Sequence, residues 1–244
     1  MKSLYHTLFW LTVFSIAMGF LESAVVIYLR ELYYPHGFKF PLTPIPNRVA
    51  LVEFSREFAT IIMLLAVGIL AGQTVTQRFA YFIFCFATWD IFYYIFLKLF
   101  LNWPVTIFDW DILFLIPVLW VGPVIAPCIL SLTMIAFTVA VVYFHSKIKY
   151  AHITLIQWLL LIAGSIVVMV VFMQDYVEYI LHKGQSLWTP ANQQQLFDDI
   201  TNYIPQSFNW LLFWVGEVLI IFALVLYIYK NRKVNQNFFK VVNN

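Results

Sequence analysis

Six stretches of about 20 apolar residues, separated by short polar or proline-bearing segments, give the chain its rhythm: 8–29, 50–71, 79–101, 123–144, 153–174 and 209–229. A helix needs about 20 mostly apolar residues to cross a bilayer core of about 30 Å. The pattern therefore predicts an all-α transmembrane bundle with six spans, forming a single domain over residues 1–244. A shorter apolar stretch, 111–120, precedes the fourth span and is bounded by Pro117, Gly122 and Pro123. It is too short to cross, and reads as a half-helix dipping in from one side or as an extension of the fourth span kinked at the prolines. The first run is longer than the usual signal-peptide core, carries Glu22 and lacks a small-x-small cleavage site. It reads as a retained helix.

Two connections are long. Residues 31–49 hold Pro35, Pro41, Pro44 and Pro46 and cannot form a regular helix or a central strand. Residues 175–208 contain Thr189, a candidate N-cap, and Pro190, a candidate first helical residue. Leu196, Phe197, Ile200 and Ile204 would then share one apolar face, predicting an external amphipathic helix at 190–203.

Composition closes off other classes. Of 244 residues, 63% are hydrophobic and 11% charged, with a mean hydropathy of +0.84. A soluble domain would be about 45–50% apolar and about 25% charged, so a soluble enzyme, a nucleic-acid binder and a disordered chain are excluded. The 25 Phe, 14 Tyr and 9 Trp suit lipid-facing surfaces with interfacial rings. Cys85 and Cys128 lie in apolar runs without paired-thiol spacing, and read as apolar side chains. The lipid bilayer is the one partner that composition names. A homodimer or a larger membrane complex are further candidates, and Gly68-x-x-x-Gly72 is a low-specificity packing face for them.

Orientation follows from Lys and Arg near the span ends. With the N-terminus inside, internal segments hold Lys2, Arg78, Lys147, Lys149, Lys230, Arg232, Lys233 and Lys240, against six basic residues outside. All twelve acids then fall in external loops or in outer span halves; 58–89 and 112–174, for example, contain none. Both termini are expected to be cytoplasmic.

Ionisable groups within spans are costly and mark function by default. Glu22 lies in the first span, Glu53 and Glu57 in the second with Arg56 between them, Asp90 in the third and Glu217 in the sixth. At about 1.5 Å per residue, four spans place carboxylates in one slab of the outer membrane half. Glu53, Arg56, Glu57 and Thr60 share a helical stripe. Glu22, Glu53, Glu57 and Asp90 are the candidate catalytic groups; Arg30, Arg56, Tyr94, Asp111 and Glu217 are the candidate substrate-binding groups. The competing reading is an ion-pair set that fixes bundle packing, with Arg30 and Lys98 as interfacial anchors.

Three chemistries fit an outward-facing carboxylate and arginine cavity. One is a carboxylate-bound metal, which His36 and His182 could complete; no Glu-x-x-His repeat occurs, and histidine-ligated haem within the spans is disfavoured because all five His lie at span ends or in loops. A second is proton- or cation-coupled transport. The third is an enzyme or binding site for a lipid or small molecule at the outer leaflet, with acids as general acid and base and arginines holding a phosphate. An accessory-subunit role is a further alternative. The one-sided charge distribution favours the outer-leaflet site, because a through-path needs polar groups on both sides.

The segment Glu22-Ser23-Ala24-Val25-Val26-Ile27-Tyr28-Leu29-Arg30-Glu31-Leu32-Tyr33-Tyr34-Pro35 carries a family likeness, together with Trp89-Asp90-Ile91-Phe92-Tyr93-Tyr94 and Asp109-Trp110-Asp111-Ile112-Leu113-Phe114. With these motifs the chain resembles uncharacterised bacterial polytopic membrane proteins over roughly its first 130 residues. That family carries no assigned activity, so the resemblance implies only a bacterial inner-membrane location.

Overall fold

The computed structural model describes residues 2–116, 118–148, 151–184 and 199–242. Six long helices dominate it: α1 (Lys2–Tyr33), α2 (Asn47–Ala71), α3 (Val75–Leu101), α4 (Ile125–Lys147), α5 (Leu155–His182) and α6 (Trp210–Val242). All six are long and apolar enough to cross a membrane. Each expected span lies on one of them.

Short connections fix how neighbours pack. Thr74 accepts a hydrogen bond from the Gln77 backbone N–H and caps α3. Thr154 and Gln157 form a reciprocal capping box at the start of α5. The centre of the bundle is α3, which packs against α1, α2 and α4. Its most apolar window is 61% buried, against 17% for α2, which leans on the bundle from outside. From α4 the packing passes to α6, and α6 pairs with α5.

Small residues set the closest approaches. Gly164 on α5 and Gly216 on α6 face one another: a Cβ on Gly164 would lie 2.8 Å from the Gly216 carbonyl oxygen. Gly68 packs on the Phe82 backbone of α3, at 2.7 Å from a Cβ to the Phe82 nitrogen, and Gly72 packs on Arg78. The Gly68-x-x-x-Gly72 face is therefore used inside the chain.

The stretch 111–120 is not a half-helix. It belongs to an antiparallel β-hairpin of β1 (Trp110–Phe114) and β2 (Trp120–Pro123), with Asp111 opposite Gly122 and Ile112 opposite Val121. The cause is local. A helix interrupted at Pro117 would leave carbonyls and N–H groups unpaired in apolar surroundings, whereas two strands rich in aromatic and branched residues pair them with each other. Non-helical backbone at this depth is tolerated where protein covers it, and β2 packs on α5. Gly122 allows that contact, because a Cβ there would lie 2.7 Å from the Phe172 ring.

The α5 helix also runs past its expected end at residue 174, continuing to His182. The extra turns project Tyr176 and Ile180 onto Leu119, Val121 and Tyr203, forming a core beside the hairpin. Of the expected amphipathic helix, residues 199–202 are helical and 190–198 lie outside the described residues.

The two ends of the bundle differ. One holds the hairpin, the proline-bearing loop and the C-terminal end of α5. The half towards the other end is packed with apolar side chains, among them Ala80, Phe137, Val141 and Ala223 in one cluster and Leu11, Leu64 and Cys85 in another.

Candidate functional site

At the hairpin end, five helices and the hairpin contribute to two adjoining cavities. On α2, the i, i+3 spacing places Glu53 against Arg56, whose Nη2 and Nε donate to Glu53 Oε2 at 2.6 and 2.9 Å. Arg56 Nη1 reaches across to Glu22 Oε1 on α1, and Thr60 donates to Glu22 Oε2 at 3.3 Å. One guanidinium thus ties two helices that otherwise both lean on α3.

Arg30, near the end of α1, pairs with Asp111 of the hairpin, Nη2 to Oδ1 at 3.0 Å, and both side chains are buried. Its guanidinium lies 4.2 Å from the Phe38 ring centre and 3.8 Å from that of Trp103, so it is sandwiched between two aromatic faces. Burial pushes the Asp111 carboxyl above its ordinary value, against the pull of Arg30, the Ile112 N–H and Tyr94. The pair is therefore held at a desolvation cost. At the neighbouring turn, partial burial raises the Asp109 carboxyl, but hydrogen bonds from the Thr106 side chain and from the Thr106 and Val105 N–H groups outweigh it. Asp109 ends below its ordinary value.

Two acids sit apart from these pairs. Glu57 accepts from the Leu115 backbone N–H at 2.9 Å. Asp90, on α3, accepts from Ser131 Oγ of α4 at 2.8 Å. Neither forms an ion pair among the described residues.

The inner cavity, of about 150 Å³, is lined by Glu22, Arg56, Glu57, Asp90 and Tyr94, with Ser131 beside Asp90. Its remaining wall is apolar, about half of it aromatic. Phe86, Trp89, Phe114, Trp120 and Phe172 run in ring-to-ring contact, from Phe86–Trp89 at 5.2 Å through Phe114–Trp120 at 5.5 Å to Trp120–Phe172 at 6.4 Å. The outer cavity, of about 250 Å³, is lined by Arg30, Glu53, Arg56, Glu57 and Asp111, and by Thr43 and Pro44 of the proline-bearing loop. The Thr43 N–H donates to the Tyr34 hydroxyl at 2.9 Å and pins this loop. Val26, Arg56, Glu57, Tyr93 and Ile112 line both cavities.

Of the sequence candidates, Glu22, Arg56, Glu57, Asp90 and Tyr94 thus meet around the inner cavity, and Arg30, Glu53 and Asp111 around the outer one. Glu217 is elsewhere: it is fully buried on α6, accepts from Thr133 of α4 and lines neither cavity. Sequence reasoning missed Ser131 and the aromatic wall. A lone serine and scattered rings in apolar runs carry no signal until the fold brings them together. Among the described residues, no three His, Cys, Asp or Glu side chains converge as a metal site. The carboxylate-bound metal left open by the sequence finds no such group among the described residues, where Glu22 and Glu53 meet an arginine, Glu57 a backbone N–H and Asp90 a serine.

Six membrane-length helices around this buried polar cluster define the class: a polytopic helical integral membrane protein. Within that class, no family model, curated protein or solved structure matches the chain.

Proposed function

We propose that the protein is a membrane-embedded binding site for a small molecule or lipid headgroup, entered from the outer leaflet. The observation that carries this reading is the shared wall of the two cavities. Charged side chains from α1, α2, α3 and the hairpin line the two cavities, and Arg56 and Glu57 line both, whereas the buried side chains towards the other end, among the described residues, are apolar or uncharged. Ionisable groups are retained in a bilayer chiefly where they have work to do. A transport path needs polar groups towards both faces, so a one-sided site supports binding, or chemistry with Glu57 and Asp90 as acid–base groups, over transport. The outward orientation rests on the excess of Lys and Arg in the segments on the opposite side.

The test is native mass spectrometry of the protein purified in mild detergent, beside Ile112→Trp, which fills the common wall. A discrete adduct on the wild type that disappears from Ile112→Trp is the expected outcome. No adduct on the wild type, or the same adduct on both proteins, would overturn the reading.

A further inference from the structure

We infer that the inner cavity takes a small organic ammonium group bearing an oxygen, either a free amino alcohol or the headgroup of a lipid. The inference rests on the cavity being a ligand site and names the chemistry of its guest.

Charge is the first argument. Three carboxyls, Glu22, Glu57 and Asp90, and one guanidinium, Arg56, line this cavity. Arg56 is engaged by Glu22 and Glu53, so among the described residues Glu57 and Asp90 are hydrogen-bonded only by the neutral donors Leu115 N–H and Ser131 Oγ. A buried anion without a counter-charge is costly. Such a carboxyl is relieved by a proton or by a cationic guest that takes the proton's place, and an anionic guest such as phosphate is disfavoured.

The wall says which kind of cation. Protein sites for inorganic divalent ions are built chiefly around several ionisable ligands, and no group of three His, Cys, Asp or Glu side chains able to hold a metal occurs among the described residues. Phe86, Trp89, Phe114, Trp120 and Phe172 instead offer a continuous band of aromatic rings along the wall. Aromatic faces beside carboxylates are how proteins hold alkylammonium groups, whose diffuse charge and apolar methyls both find partners. The volume of about 150 Å³ equals that of an engineered cavity that accepts benzene, and suits a trimethylammonium-sized group.

The oxygen follows from an independent feature. Trp89 is buried, lines the cavity, and its Nε1 N–H has no acceptor among the described residues; the Nε1 of Trp120, in the same wall, has none either. Buried donors are nearly always paired. Both atoms are covered by protein in this structure, so a hydroxyl or ester oxygen next to the ammonium would satisfy them after a turn of the indole rings towards the cavity.

The experiment is equilibrium dialysis of labelled choline against the purified full-length protein in detergent. Its comparison probes are the neutral isostere with carbon in place of nitrogen, glycerophosphocholine, and inorganic phosphate. Choline is expected to bind saturably and at least about tenfold more tightly than the isostere. Asp90→Asn and Glu57→Gln, on different helices, should each weaken it at least about tenfold while thermal melting reports that they fold. Phe172→Leu should weaken choline by roughly tenfold and leave the isostere nearly unaffected. Glycerophosphocholine binding more tightly than choline supports a lipid headgroup, and the reverse order supports a free amine. Equal binding of choline and its isostere, or phosphate binding that Ile112→Trp abolishes, would overturn the ammonium inference while the cavity stays a ligand site. No binding of any probe would overturn it too; if the native spectrum also lacks an adduct, the proposed function falls with it.

Discussion

Arg30 and Asp111 show what a buried charge does when it is matched. The guanidinium is clasped between Phe38 and Trp103 and neutralised by a carboxylate from the hairpin. A buried ion pair is seldom a large net stabiliser, but removing one member strands the other. Asp111→Asn should therefore lower stability by about 3–5 kcal/mol, and Arg30→Lys should also be costly, because a lysine loses the planar stack. The double change Arg30→Met with Asp111→Leu should cost less than Asp111→Asn alone. Denaturation of the detergent-solubilised variants checks this; a double variant as unstable as the sum of the single ones would reject it. These residues were visible in the sequence as charges next to apolar runs. Their pairing was not, because 81 positions separate them.

At the scale of elements, the outcome turned on the ends of helices. The spans were legible because length and hydropathy decide them. The hairpin was misread because a ten-residue apolar stretch fits a short helix or a strand equally well, and only β2 on α5 settles the matter. The aromatic and branched residues on either side of Pro117 were the available signal. Likewise, α5 runs on beyond residue 174 because Tyr176 and Ile180 find Leu119 and Tyr203 to cover them. Close contacts between these elements make a specific expectation. Gly164→Ala would bring a methyl to 2.8 Å from the Gly216 carbonyl, and Gly122→Ala to 2.7 Å from the Phe172 ring. Each should lower stability by about 1–3 kcal/mol through overpacking. Only Gly122→Ala should also disturb the cavity wall, to be read as weaker retention of any bound adduct. Unchanged melting in both variants would mean that these contacts relax without cost.

For the whole molecule, the asymmetry between ends is the organising fact. Six spans put the start of α1 and the end of α6 on one face, and the basic residues predict that this face is cytoplasmic. Single cysteines at Gln73 and at Lys39, in a background with Cys85 and Cys128 replaced by Ala, should react from opposite sides. An impermeant thiol reagent added to intact cells should label Lys39→Cys, and should label Gln73→Cys only after the cells are broken. The reverse pattern would turn the site to the cytoplasm and withdraw the outer-leaflet assignment.

The sequence by itself determined the class, the number of spans and the set of charged residues buried within them, because hydrocarbon imposes length and polarity rules that one dimension can carry. It also separated acids from bases along the chain. Only the tertiary structure decided which charges neutralise one another, that Glu217 stands apart on Thr133, and that Glu57 and Asp90 form no ion pair among the described residues and lie beside a band of aromatic rings. Helical spacing says which residues share a face of one helix, but not which face of the next helix they meet. That depends on close approaches such as Gly19 on Trp89 and Gly122 on Phe172, which exist only once the helices and the hairpin are packed.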